Sequence, residues 1–106
     1  MTNEYGKELD QNGYAPSLFQ QVDDYCFMCQ TGQHPFARHE IFHGANRQKS
    51  KRLGLWVHLC PTCHMNLHQK NAESDRRLKM IGQQVAMSTY GWTTDGFIKA
   101  FGKNYL

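Results

Sequence analysis

Polar and apolar positions change period several times along this chain, and each change predicts an element. Residues 1–25 keep no helical or strand period and are interrupted by Gly6, Gly13 and Pro16. They predict an arm that lies on the domain, with Leu18, Phe19 and Val22 as candidate anchors, or one that frays. Alternation sets in from Ala37 to Phe42, which as a strand puts Arg38 and Glu40 on one face and His39 and Ile41 on the other. His43 would continue the His39 face. Residues 46–54 are polar and cationic, which predicts an exposed loop, and Leu55 to Leu59 alternates again as a second strand. Pro61 suits the first turn of a helix, and that helix carries His64 and His68 four residues apart, on one face, with Leu67 towards the core. Asn71 or Ser74 can cap a further helix whose Leu78, Ile81 and Val85 form a core stripe and which Gly91 ends. Thr94 with Asp95 opens a last helix carrying Phe97, Ile98 and Phe101, stopped by Gly102. The pattern therefore predicts an α+β fold: an arm, a hairpin followed by a helix, and two C-terminal helices.

The cysteines change this picture most. Cys26 and Cys29 precede the predicted hairpin, and Cys60 and Cys63 follow it. Each Cys-x-x-Cys pair places two sulfurs in one tight knuckle, the spacing that offers them to a tetrahedral zinc. The N-terminus has acidic residues where a signal peptide needs an apolar stretch, and no run approaches the ~18 apolar residues of a membrane span. The expectation is an intracellular chain with no membrane partner, whose thiols stay reduced. Zinc is then favoured over two disulfides.

At 106 residues the chain is expected to be one domain: an arm (1–25), a zinc-bearing core (26–70) and a helical extension (71–106). Its 40% apolar and 12% aromatic content excludes a wholly disordered chain. The formal charge of +3 hides an asymmetry. Residues 1–25 hold one Lys against five carboxylates, a net −4, while residues 26–106 hold eleven Lys and Arg against four carboxylates, a net +7. The cationic part is the part with the cysteines and histidines, as a nucleic-acid partner requires. Arg38, Arg47, Lys49 and Arg52 are candidate phosphate contacts. His34 and His58 are assigned no role, and Trp56 and Trp92 read as packing residues.

Phosphodiester hydrolysis needs a base, a hard cation and groups that hold a polyanion, and residues 26–68 contain each type. The hairpin between two Cys-x-x-Cys pairs and the ending LCPTCH resemble the ββα-metal, or His-Asn-His (HNH), endonucleases. The layout is also similar to that of phage junction-resolving endonucleases. LDQNGYAPSLF, RHEIFHGANRQKSKRLGLWVHLC and FGKNYL resemble small HNH-like proteins of phages and prophages of Gram-positive bacteria, a likeness spanning roughly residues 9–106.

That resemblance implies a zinc-stapled ββα-metal core. Cys26, Cys29, Cys60 and Cys63 would hold a structural zinc. His64 would ligate a catalytic Mg²⁺ or Mn²⁺, with His68 as an additional ligand. The spacing also allows His64 to replace one cysteine at the zinc. Two registers fit the first strand: His39 as general base with Glu40 as metal ligand, or His39 as ligand with Glu40 in the place of the base. The first is favoured because an imidazole titrates near neutrality. The family's middle Asn falls at Leu55, which cannot brace the hairpin loop, so Asn46 is the candidate to do so. His43 is left open between a surface role and contact with metal or phosphate. The implied function is a DNA endonuclease of phage recombination, repair or packaging, working in the host cytoplasm and, if it resolves junctions, as a homodimer. The alternatives are a non-catalytic zinc-containing nucleic-acid-binding module and a phage protein-interaction adaptor.

Overall fold

The structure is a computed structural model and describes residues 1–69 and 72–106. Two strands, β1 (Ala37–Glu40) and β2 (Trp56–Leu59), pair antiparallel with His39 opposite Val57 and Glu40 opposite Trp56. Four α-helices accompany them among these residues: α1 (Arg47–Arg52), α2 (Pro61–Gln69), α3 (Ala72–Tyr90) and α4 (Thr94–Phe101). The fold is α+β. No helix among the described residues is long and apolar enough to cross a membrane.

The strands stop short of their sequence-based limits because the chain turns inward after Glu40. Ile41 and Phe42 are both fully buried, and the Phe42 amide donates to the Ser50 hydroxyl at 3.1 Å. The stretch 46–54 is not an exposed loop. A short 3₁₀ turn (Gly44–Asn46) leads into α1, which leaves Arg47 and Lys49 at the surface and buries Ser50 and Lys51, with Leu53 buried just after it. Polarity concealed this helix because the residues it buries, Ser50 and Lys51, are themselves polar.

The core joins Leu55, Val57 and Leu59 to Ile41, Phe42, Leu67, Leu78, Ala86, Phe97 and Phe101. Phe42 is its aromatic centre, with the rings of Phe101, Tyr105 and Phe97 at 4.7, 5.3 and 5.4 Å. The α3 stripe differs from the sequence pattern: Leu78, Gly82 and Ala86 face inward, while Ile81 is 41% exposed. Gly82 is there because Ile41 and Phe42 press against it, and a Cβ would stand 2.9 Å from Ile41 Cγ2. Apolar periodicity scores large side chains, so a glycine–alanine stripe escapes it. Ser74 lies inside α3 rather than at its cap, and Asn71 lies outside the described residues. The ends of the last two helices follow the sequence: α3 ends before Gly91, Thr93 caps α4 by accepting from the Gly96 amide, and Gly102 closes it in the left-handed conformation.

The arm is fastened to α1 and β2. The amides of Ala15 and Leu18 donate to the carbonyls of Lys51 and Gly54, and the Trp56 indole donates to Ala15 O at 2.7 Å. Leu18 and Phe19 pack on the core, whereas Val22, the third candidate anchor, is 55% exposed. Gly54 makes this seam possible. Its φ is +76°, and a Cβ would stand 2.4 Å from the Pro16 carbonyl. Gly54→Ala should therefore cost roughly 2–4 kcal/mol of stability, combining left-handed strain with a backbone clash. Urea denaturation of the zinc-loaded protein measures it, and a loss well below 1 kcal/mol would mean that the seam carries no such strain.

Candidate metal centres and the cleft between them

Both Cys-x-x-Cys pairs meet at the open end of the hairpin. The first knuckle is closed by the Gln30 amide on Cys26 O and the Cys26 amide on Thr31 O, both at 2.9 Å. It is attached to β2 through the Phe27 amide on His58 O. The second knuckle follows β2 directly and becomes the first turn of α2, so Cys60 and Cys63 share one helical turn. The four sulfurs lie within 4.8 Å of one another and could hold a metal such as zinc. Cys29 and Cys60 are separated by 3.7 Å, too far for a disulfide. An S–S edge of roughly 3.8 Å follows from a tetrahedron of zinc–sulfur bonds of about 2.3 Å. The thiols respond to one another electrostatically. Burial and the three neighbouring sulfurs push Cys63 up, while Cys26, against the effect of its burial, is brought down to about 6 by the amides of Cys29, Cys60 and Met28.

A second group forms on the other face of α2. His64 and His68 sit one turn apart, with their Nε2 atoms 3.2 Å from each other. His39 of β1 packs its ring 5.4 and 5.2 Å from theirs. Ligand atoms of the three histidines lie within 4.8 Å of one another, separate from the cysteines, so His64 groups with imidazoles and not with sulfurs. His39 is only 2% exposed, and its buried Nε2 has no hydrogen-bond partner among the described residues. An unpaired buried nitrogen facing two imidazoles is costly unless a cation receives all three, so this donor set fits a metal ion. Burial, then the charges of His64, His68 and His43, push His39 down to about 4.

An open cleft of about 370 Å³ lies over the histidines, lined by Tyr14, Arg38, His39, Glu40, His43, Arg47, His64 and His68. Glu40 points into it from the face of β1 opposite His39. One of its oxygens accepts from Arg47 Nε at 2.6 Å and the other from the Tyr14 hydroxyl at 2.7 Å. Arg38 pairs with Asp10 at 2.7 Å and lies over the Tyr14 ring. His43 sits at the edge of the cleft with its Nε2 3.3 Å from Asp75 of α3.

The other sequence candidates go elsewhere. Lys49 Nζ donates to Ala100 O and Asn46 Nδ2 to Phe101 O, so both satisfy carbonyls at the end of α4. Arg52 pairs with Glu4 of the arm. Asn46 therefore does not brace the hairpin loop, and Leu55 is fully buried core. The brace is Ser50, whose hydroxyl donates to Leu55 O at 2.5 Å and accepts from the Phe42 amide. Sequence reading missed Ser50, Tyr14 and the His43–Asp75 pair. Only the turn that presents Tyr14, opened by Asp10 and containing Gly13, left a local signal.

Comparison with known proteins adds no relatives: no family model, curated protein or solved structure matches the chain.

Two outcomes follow. Zinc-loaded protein should retain a tightly held metal in native mass spectrometry that Cys29→Ser weakens and His68→Ala leaves in place; equal loss in both would merge the two centres. The depressed His39 pKa also sets a sign. As pH falls from 6.5 to about 4, the unfolded chain gains a proton on His39 that the fold resists, so stability falls. Denaturation of the zinc-loaded protein across that window should show a smaller loss in His39→Gln than in the wild type, since the variant keeps the cysteine contribution and removes only this one.

Proposed function

We propose that the chain is a small metal-dependent endonuclease of the ββα-metal type that hydrolyses phosphodiester bonds in DNA. The observation that carries this reading is the convergence of three imidazoles, one buried and unpartnered, beside a cleft bearing two arginines and a carboxylate. Three protein ligands and a side open to solvent are the pattern of a catalytic site, and four sulfurs that fill a tetrahedron are the pattern of a structural one. The cysteines would hold zinc as a staple, and His39, His64 and His68 a labile divalent ion of the kind imidazoles bind, Zn²⁺ or Mn²⁺ before Mg²⁺, which takes oxygen ligands.

The grouping of His39 with the α2 pair supports the register in which His39 is a ligand and Glu40 stands in the place of the base. A ring only 2% exposed and turned towards two other imidazoles is poorly placed to reach a water beside a phosphate. Glu40 faces the cleft, and with two donors bound its carboxylate keeps acceptor sites to orient a water and take its proton. Arg38 and Arg47 would hold the phosphates on either side of the scissile one. An ion bound at the histidines would act as a Lewis acid towards charge on the phosphate and the leaving oxygen. Nothing in the cleft resembles an element that reads base edges, which favours structure-directed or weakly specific cleavage. The likeness to phage and prophage proteins supports a role in recombination, repair or packaging.

Nicking of supercoiled plasmid with Mg²⁺, Mn²⁺ or Zn²⁺ tests the reading. Wild type should nick. Glu40→Gln should lose about 100-fold or more while retaining metal, and His64→Ala should lose metal and activity together. Retention of activity by Glu40→Gln with loss in His43→Ala would move the base to His43. DNA binding without cleavage under every ion would leave a binding module, with Leu55 in place of the family's Asn as its explanation.

A further inference from the structure

We propose that Tyr14, delivered by the N-terminal arm, is a positioning residue of the cleft that holds the Glu40 carboxylate in the orientation it needs. This rests on the reading of Glu40 as the group that takes a proton from water.

The arm is built to present this one side chain. Asp10 Oδ1 accepts from the amides of Asn12 and Tyr14 at 2.8 and 3.0 Å, the Asp10 amide donates to Tyr14 O at 2.9 Å, and Gly13 turns the chain with a φ of +85°. The other oxygen of Asp10 holds Arg38, so a single carboxylate fixes both the turn and a cation of the cleft. The residue after Tyr14 is pinned on both sides of its peptide, by the Lys51 carbonyl and the Trp56 indole.

The ring itself is clamped. The Arg38 guanidinium lies 4.4 Å and the Lys51 ammonium 4.7 Å from its centroid, and Trp56 meets it edge-on at 5.3 Å. Cations held over an aromatic face are attracted by its quadrupole. With the turn closed and the ring held, the hydroxyl has little freedom, and its partner is Glu40 Oε2 at 2.7 Å. Glu40 then has one oxygen fixed by Tyr14 and the other by Arg47. Arg47 is half exposed and carried on a flexible side chain, whereas Tyr14 is part of a closed loop. The tyrosine is the more rigid of the two supports. Its hydroxyl, pushed up to about 12 first by burial and then by the bond to Glu40, remains a donor throughout the working pH range.

Tyr14→Phe removes only the hydroxyl and leaves the clamped ring, so fold and zinc content should be unchanged. Two measurements are made on it and on the wild type. Side-chain NMR of ¹³C-labelled glutamate, without the labile ion, should show Glu40 in one rotamer in the wild type and averaged in the variant. Plasmid nicking should show kcat reduced about 10- to 100-fold, with KM for DNA and metal affinity within twofold, since misplacing a catalytic group by about 1 Å costs on that order. An ordered Glu40 in Tyr14→Phe, or an unchanged kcat, overturns the proposal. If the wild type does not nick at all, the endonuclease reading fails by itself, and Glu40 order alone decides whether Tyr14 positions it.

Discussion

Two strands of four residues each cannot stand alone in water, yet β1 carries Arg38, His39 and Glu40 of the site and the other cleft residues are set around it. What holds the hairpin is closure at both ends. At the open end, four sulfurs lie within 4.8 Å of one another and could hold a metal. At the turn, the Ser50 hydroxyl ties Phe42 to Leu55 inside a sealed interior. The first closure brings a knuckle before β1 against one after β2, and the second lets Phe42 leave the strand for the aromatic core. Losing either buried partner of Ser50 would leave unsatisfied polar groups, at roughly 1–3 kcal/mol each.

That closure also explains why the two centres lie so near each other and stay chemically separate. The second knuckle supplies sulfurs from the first turn of α2, and His64 and His68 project from the following turns on another face. Cys26 and Cys60 are buried while Cys29 reaches the surface, and the imidazoles border an open cleft. One helix thus contributes to a group of four sulfurs and to a group of three imidazoles, and β1 completes the second with His39.

The charge asymmetry takes on a physical meaning once the arm is placed. Glu4 and Asp10 of the acidic arm pair with Arg52 and Arg38 of the basic part. Exposed pairs of this kind contribute little stability, of order 0–1 kcal/mol each. The hold comes from backbone hydrogen bonds, the Trp56 indole and the close approach at Gly54. The ion pairs therefore orient the arm more than they attach it, and the orientation carries Tyr14 to Glu40 across 26 residues of sequence.

The sequence by itself determined the features set by short spacing. Two Cys-x-x-Cys pairs, a His pair four residues apart, alternation in β1 and β2, and the glycines that end α3 and α4 all depend on local geometry, and each was legible. Tertiary packing decided which groups face each other. It gave His39 to the histidine group and Glu40 to Tyr14 and Arg47. It turned Lys49 and Asn46 to the end of α4 and left Arg38 and Arg47 in the cleft. It also made Ser50 the brace that sequence reasoning sought in Asn46. No periodicity encodes such partners, because they are chosen by the shape of a core whose tightest contacts, at Gly54 and Gly82, are made by residues without side chains.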